Sequence, residues 1–222
     1  TSDKKGIVLS ELKFEKSETG YRFEYVSLDL QTAGRTATLT MRAPSQSAAE
    51  IAALSADEIR AQGDQFWALK AYRDLNEALL VLRFNHIEIG TVLIKTEGDA
   101  DAVLAMDAKL AELQGSDWFV REMVLYMGFV LRRLDLTARS FFALIEEASC
   151  FAGNMLELAL AADRSYLLED EEGQIGVSVG ALAGGDLPMS NGLNRIEIRF
   201  LHDEQAGRDV SGKQQTYIGA EA

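Results

Sequence analysis

The residues best suited to chemistry lie between positions 143 and 164. Ala143, Leu144 and Ile145 form a short apolar run that reads as a buried strand, and 146–149 reads as a loop. Cys150, Phe151, Ala152, Gly153 and Asn154 then lead into Met155-Leu156-Glu157-Leu158-Ala159-Leu160. That order predicts a helix with Gly153 and Asn154 in its first turn. The first amides of a helix have no partner within it and carry partial positive charge. Such amides can stabilise an oxyanion where a carbonyl polarises. Glu157, one turn further on, could then serve as acid or base. The same residues also fit a second reading, in which Glu157 is a buried glutamate bonded to a backbone amide.

Other reactive residue types carry weaker patterns. Cys150 is the single cysteine and sits among apolar residues with no histidine near it in sequence, so it reads as a packed, inert thiol. His86 and His202 are isolated and have no metal-ligand spacing with cysteine, so they read as surface or capping residues. No metal site is expected. The run Glu169-Asp170-Glu171-Glu172 lacks the alternating ligands and internal glycine of a calcium loop and reads as a solvated turn. Gly180, Gly184 and Gly185 do not make the dinucleotide-binding spacing.

The elements that must position these residues follow from periodicity. Residues 21–42 alternate and are rich in β-formers, which predicts two strands joined by a turn at Ala33-Gly34. Pro44 ends the second. Ser55 and Glu58 fit a capping box for a short helix over 55–60. Leu69, Tyr72, Leu75, Leu79 and Leu82 recur at helical spacing within 65–84. Thr91-Val92-Leu93-Ile94 reads as a strand buried on both faces. A helical run follows from about Ala102. Residues 118–134 read as a helix buried all round, with Met123, Leu125, Met127, Phe129, Val130 and Leu134 in the core. Strands over 141–145 and 164–168 flank the helix of Glu157. A short strand at Val177 and Val179, a glycine-rich stretch and a helix over 190–201 complete the series. The tail from 203 is polar, with no core face before Tyr217-Ile218. Strand–helix–strand alternation of this kind argues for an α/β domain with parallel crossovers.

The segment around Glu157 resembles the crotonase (enoyl-CoA hydratase/isomerase) superfamily. There a glycine-rich stretch before Glu-Leu-Ala supplies an oxyanion amide, and the strand after the helix opens with Asp. Glu157-Leu158-Ala159-Leu160 and Asp163 carry the match. The resemblance implies an α/β, crotonase-type ββα superhelix in one domain over 21–222, lacking the C-terminal helices, with 1–20 as a lead-in or linker. It implies Glu157 as the catalytic carboxylate and the amide of Asn154 as one oxyanion donor, with Gly153 as the alternative if the register slips. It places the other donor in a loop within Ala102-Val103-Leu104-Ala105-Met106-Asp107, at the Leu104 amide, with Ala105 where the family has glycine. The family's second glutamate falls at Ala181, and Asp186 substitutes only if its loop folds inwards.

Further segments resemble one branch of that superfamily. They include Phe66-Trp67-Ala68-Leu69-Lys70, Glu97-Gly98-Asp99, Trp118-Phe119-Val120-Arg121-Glu122, Ser149-Cys150-Phe151-Ala152-Gly153, and Pro188-Met189 followed by Arg195. The branch is the C-terminal crotonase-like half of lyases that open the ring of 2,3-epoxybenzoyl-CoA with loss of formate. What this implies is a CoA-thioester substrate, no cofactor, a companion crotonase half or a homodimer as partner, and a cytoplasmic enzyme of aerobic benzoate degradation. Two alternatives stay open: a non-catalytic scaffold or dimerisation domain of such an enzyme, and an acyl-CoA hydratase or isomerase using Glu157 alone.

Composition sets the outer limits. The 222 residues suffice for one sizeable core without disulfides. The net charge of −13 disfavours nucleic acid as a partner, since such a surface repels phosphate backbones. No apolar run approaches the roughly 20 residues of a membrane span, so no membrane partner is expected.

Overall fold

The computed structural model describes residues 6–169 and 174–219. Strands β1 (Glu15–Ser17), β2 (Gly20–Arg22), β3 (Val26–Gln31) and β4 (Thr36–Arg42) form an antiparallel meander. The expected turn at Ala33-Gly34 is a 3₁₀ turn over Thr32–Gly34. Short helices α1 (Ala48–Ala52) and α2 (Ala56–Gln62) and long helix α3 (Trp67–Asn85) then cross to β5 (Thr91–Glu97). Helices α4 (Ala100–Leu113) and α5 (Trp118–Asp135) cross to β6 (Ser140–Ile145), and α6 (Gly153–Leu160) crosses to β7 (Arg164–Leu167). Strands β4 to β7 are parallel, so the seven-stranded sheet runs in chain order from β1 to β7. Chain order with helical crossovers is what the alternation of elements requires. Beyond it lie β8 (Gly176–Ser178), α7 (Arg195–Arg199), α8 (Glu204–Lys213) and β9 (Thr216–Ile218), with β9 antiparallel to β8. Part of the acidic run, residues 170–172, lies outside the described residues.

The core lies between one face of the sheet and the helices. Val92 and Ile94 of β5, Phe141, Ala143 and Ile145 of β6, and Leu28 and Leu39 of the meander are all buried in it. Each of the larger of these side chains contributes roughly 2 kcal/mol on removal from water. Strand β5 was expected to be buried on both faces, and β6 to be a buried strand; instead burial alternates in each, with Leu93, Phe142 and Leu144 only partly covered. Helix α3 packs against β3 and β4, and α6 against β5, β6 and β7.

Ser55 does cap α2, accepting the Glu58 amide while Glu58 returns a bond to the Ser55 amide. In α5, Met123, Met127, Val130 and Leu134 are buried, but Leu125 and Phe129 are 52% and 44% exposed. The helix is therefore two-faced, with Arg133 over the Phe129 ring. The helix expected over 190–201 begins later, at Arg195. Residues Met189 to Leu193 close a turn through the Leu193 carbonyl and a left-handed Gly192, and Asn194 then makes a capping box with Glu197. Residues 203–219 of the polar tail are also structured. Asp203 caps α8 by accepting the Ala206 amide, and Gly207 lies against Phe200. Within 1–20, β1 joins the sheet, and Ser10 is held by Asp64 and Arg73.

Candidate functional site around Glu157

Helix α6 enters from an extended Ala152 and opens on Gly153 at φ +49°. Its residues from Gly153 to Ala159 are buried, including Asn154 and Glu157. The sequence brings them here because Phe151, Met155, Leu156 and Leu158 leave this helix little surface to present to water.

Glu157 is 4% exposed. Its Oε2 accepts Nη1 of Arg195 at 2.8 Å, and Arg195 is itself 2% exposed. The other edge of that guanidinium donates to both carboxylate oxygens of Asp135, at 3.1 and 2.7 Å, and Nη1 also meets the Leu187 carbonyl. One buried cation thus serves two carboxylates. Asp135 holds it in the bidentate geometry, so Glu157 is left incompletely compensated. Burial accordingly raises the Glu157 pKa, against the lowering effect of Arg195.

The Asn154 amide is also engaged. It donates to Oδ1 of Asp107 at 3.0 Å, and Asn154 Nδ2 donates to the same oxygen at 2.6 Å. The Tyr72 hydroxyl donates to Asn154 Oδ1 at 2.9 Å, which fixes the orientation of the side-chain amide. Asp107 is fully buried, and burial pushes it up to about 7 despite the Asn154 and Leu182 donors that favour its charged form. Gly153, the alternative donor, faces the same carboxylate: a Cβ placed on it would lie 2.7 Å from Asp107 Cγ.

Leu104 does not occupy a loop. It is the fifth residue of α4, where helical geometry directs its N–H to the carbonyl four residues back. The loop after β5 is shorter than expected and consists of Gly98 and Asp99, whose side chain caps α4. The reading of Leu104 as a loop donor is corrected on that ground. Ala181 begins a 3₁₀ turn over Ala181–Gly184 and brings no carboxylate. Asp186 does not fold inwards onto Glu157; it accepts Gln114 at the end of α4.

Arg195, Asp107, Asp135 and Tyr72 complete the cluster, and sequence reasoning assigned none of them a catalytic or binding role. They come from α7, α4, α5 and α3, so no local spacing links them. Cys150 is buried, and burial pushes its thiol up to about 11. His86 ends α3, with Nε2 against the Tyr21 hydroxyl at 3.1 Å, and His202 is exposed. A cleft of about 430 Å³ does exist, lined by Leu156, Ala159, Val179, Ile196 and Phe200 among others. None of Asp107, Asn154 and Glu157 lines it. Among the described residues no group of three or more His, Cys, Asp and Glu side chains is arranged to hold a metal ion, and no helix is long and apolar enough to cross a membrane.

A chain-ordered sheet with parallel crossovers, ending in a buried helix whose N-terminus faces a polar cluster, defines a crotonase-type fold. Solved structures share it: an enoyl-CoA hydratase of Geobacillus kaustophilus matches over 90% of this chain and 65% of its own, at 16% identity and TM-score 0.55. An enoyl-CoA hydratase of Shewanella pealeana matches over 88% of this chain and 63% of its own, at 14% identity and TM-score 0.55. The particular likeness is to the benzoyl-CoA-dihydrodiol lyase of Aromatoleum evansii, which is 44% identical over 222 residues. That match takes in 98% of this chain but only 39% of the lyase. No protein-family model matches the chain.

Proposed function

We propose that this chain is the C-terminal, crotonase-like half of a lyase acting on an aromatic CoA thioester, and that it supports a companion crotonase half rather than performing the chemistry. The observation that carries the first part is the 44% identity across 98% of the chain to a lyase of which it spans 39%. The second part rests on the ion pair between Glu157 and Arg195, which engages Oε2 of the carboxylate that would act as acid or base. The whole enzyme would open the ring of 2,3-epoxybenzoyl-CoA, with the thioester as substrate and no cofactor. Its place would be the cytoplasm, and its partner the companion half or a second copy.

The test is to express the complete reading frame and assay release of formate from the 2,3-epoxide of benzoyl-CoA. Conversion is expected, and its absence removes the lyase reading. Glu157→Gln in the same protein should change turnover by no more than about twofold. A loss of several orders of magnitude would make Glu157 catalytic and overturn the supporting role.

A further inference from the structure

The N-terminus of α6 already holds an anion-type group, and that group belongs to the protein. Asp107 reaches it from the second turn of α4. Oδ1 accepts the Asn154 amide and the Asn154 side-chain NH₂, while Oδ2 lies 3.5 Å from the Leu182 amide. Two glycines make room for it. A Cβ on Gly153 would lie 2.7 Å from Asp107 Cγ, and a Cβ on Gly180 would lie 2.3 Å from Asp107 Oδ2. The Gly153 backbone is also left-handed, a conformation that favours glycine. Two stretches, 153–154 and 180–182, thus shape themselves around a carboxyl group supplied by α4. The cradle has what a small carboxylate needs: converging amides at a helix N-terminus, a neutral NH₂ donor and enclosure from water.

We propose that the Asp107 carboxyl group is an internal ligand of this cradle, seated where the polarised carbonyl oxygen of an acyl ligand would accept the Asn154 amide, so that the domain keeps the shape of an acyl-binding site while closing it. This goes beyond the companion-half reading, because it assigns the cradle's occupant whatever the whole protein catalyses. Removing the carboxyl group leaves two orphaned donors and a hole of the size of the group removed. Formate has the size of that carboxyl group and the same acceptor oxygens.

The experiment is thermal unfolding of Asp107→Ala, with sodium formate compared to sodium chloride at equal ionic strength. In chloride the variant should melt below the wild type. About 0.1 M formate should raise its Tm by several degrees and leave the wild type unchanged. Acetate, one methyl larger, should do less. Asp107→Asn keeps the cradle filled, so it should fold and show no formate response. If Asp107→Ala does not fold in chloride, formate in the refolding buffer should recover folded protein. No formate response in Asp107→Ala, or an equal one in the wild type, overturns the proposal. Calorimetric titration of the wild-type chain with benzoyl-CoA should give no binding heat, and micromolar binding would overturn the closure. These readouts are separate from ring opening, so failure here leaves the lyase assay untouched.

Discussion

At the residue scale, the cluster is governed by three carboxyl groups and one guanidinium. Arg195 cannot neutralise Asp135 and Glu157 together, and Asp107 faces Glu157 with no cation of its own among the described residues. Arg195→Met should therefore cost about 3–5 kcal/mol in denaturant unfolding, because it leaves two carboxylates buried and unpaired. Adding Glu157→Gln should recover part of that loss, which a purely steric role for Arg195 would not allow. The same groups set a pH dependence. Asp107 is raised from 3.8 to about 7, and Glu157 is raised as well. A raised carboxyl pKa stabilises the fold fully below the unfolded value and loses that contribution as pH climbs through the folded one. Stability from Asp107 should thus fall between about pH 4 and about pH 7 and then level off. The groups facing it, Tyr72, Asn154, Gly153, Leu182 and Glu157, add no cation that would reverse the sign. Unfolding midpoints at acid and neutral pH check this, and Asp107→Asn should flatten the decline.

At the scale of elements, α6 is specified twice over. Its apolar residues bury it locally, and its first residue must adopt a left-handed φ beside the Asp107 carboxyl group. Gly153→Ala meets both obstacles, a strained backbone and a contact of 2.7 Å that the buried carboxyl cannot relieve by swinging into solvent. A loss of roughly 2–4 kcal/mol is expected, read from the shift in denaturant midpoint. The helices that were hardest to delimit failed for identifiable reasons. Helix α8 carries few apolar residues, so its pattern is weak, and its Asp203 cap becomes visible only once the helix is known. The late start of α7 turns on a left-handed Gly192, and glycine permits that conformation without requiring it.

At the scale of the molecule, the sheet and its helices form one core, and Cys150 reports on it. The thiol is 1% exposed and raised to about 11 by burial, so near pH 8 only about a thousandth of it is thiolate. A thiol reagent should label the native chain only through opening of the fold. The labelling rate should rise in step with the unfolded fraction as denaturant is added. Rapid labelling in the absence of denaturant would show that the loop before α6 opens independently.

The sequence by itself determined the class of fold, the order and type of most elements, and the likeness carried by the Glu157 segment. These rest on local quantities: hydrophobic period, turn residues, caps and a contiguous motif. Whether Glu157 faces a ligand was decided only by tertiary structure. Asp107, Asp135 and Arg195 stand up to 88 positions apart in the chain, and no spacing records that their side chains meet. Leu104 shows the same division: the sequence suggested a helix nearby, but where that helix begins depended on Asp99 capping it. Burial did the rest, by turning an exposed amide and a free carboxylate into partners already taken.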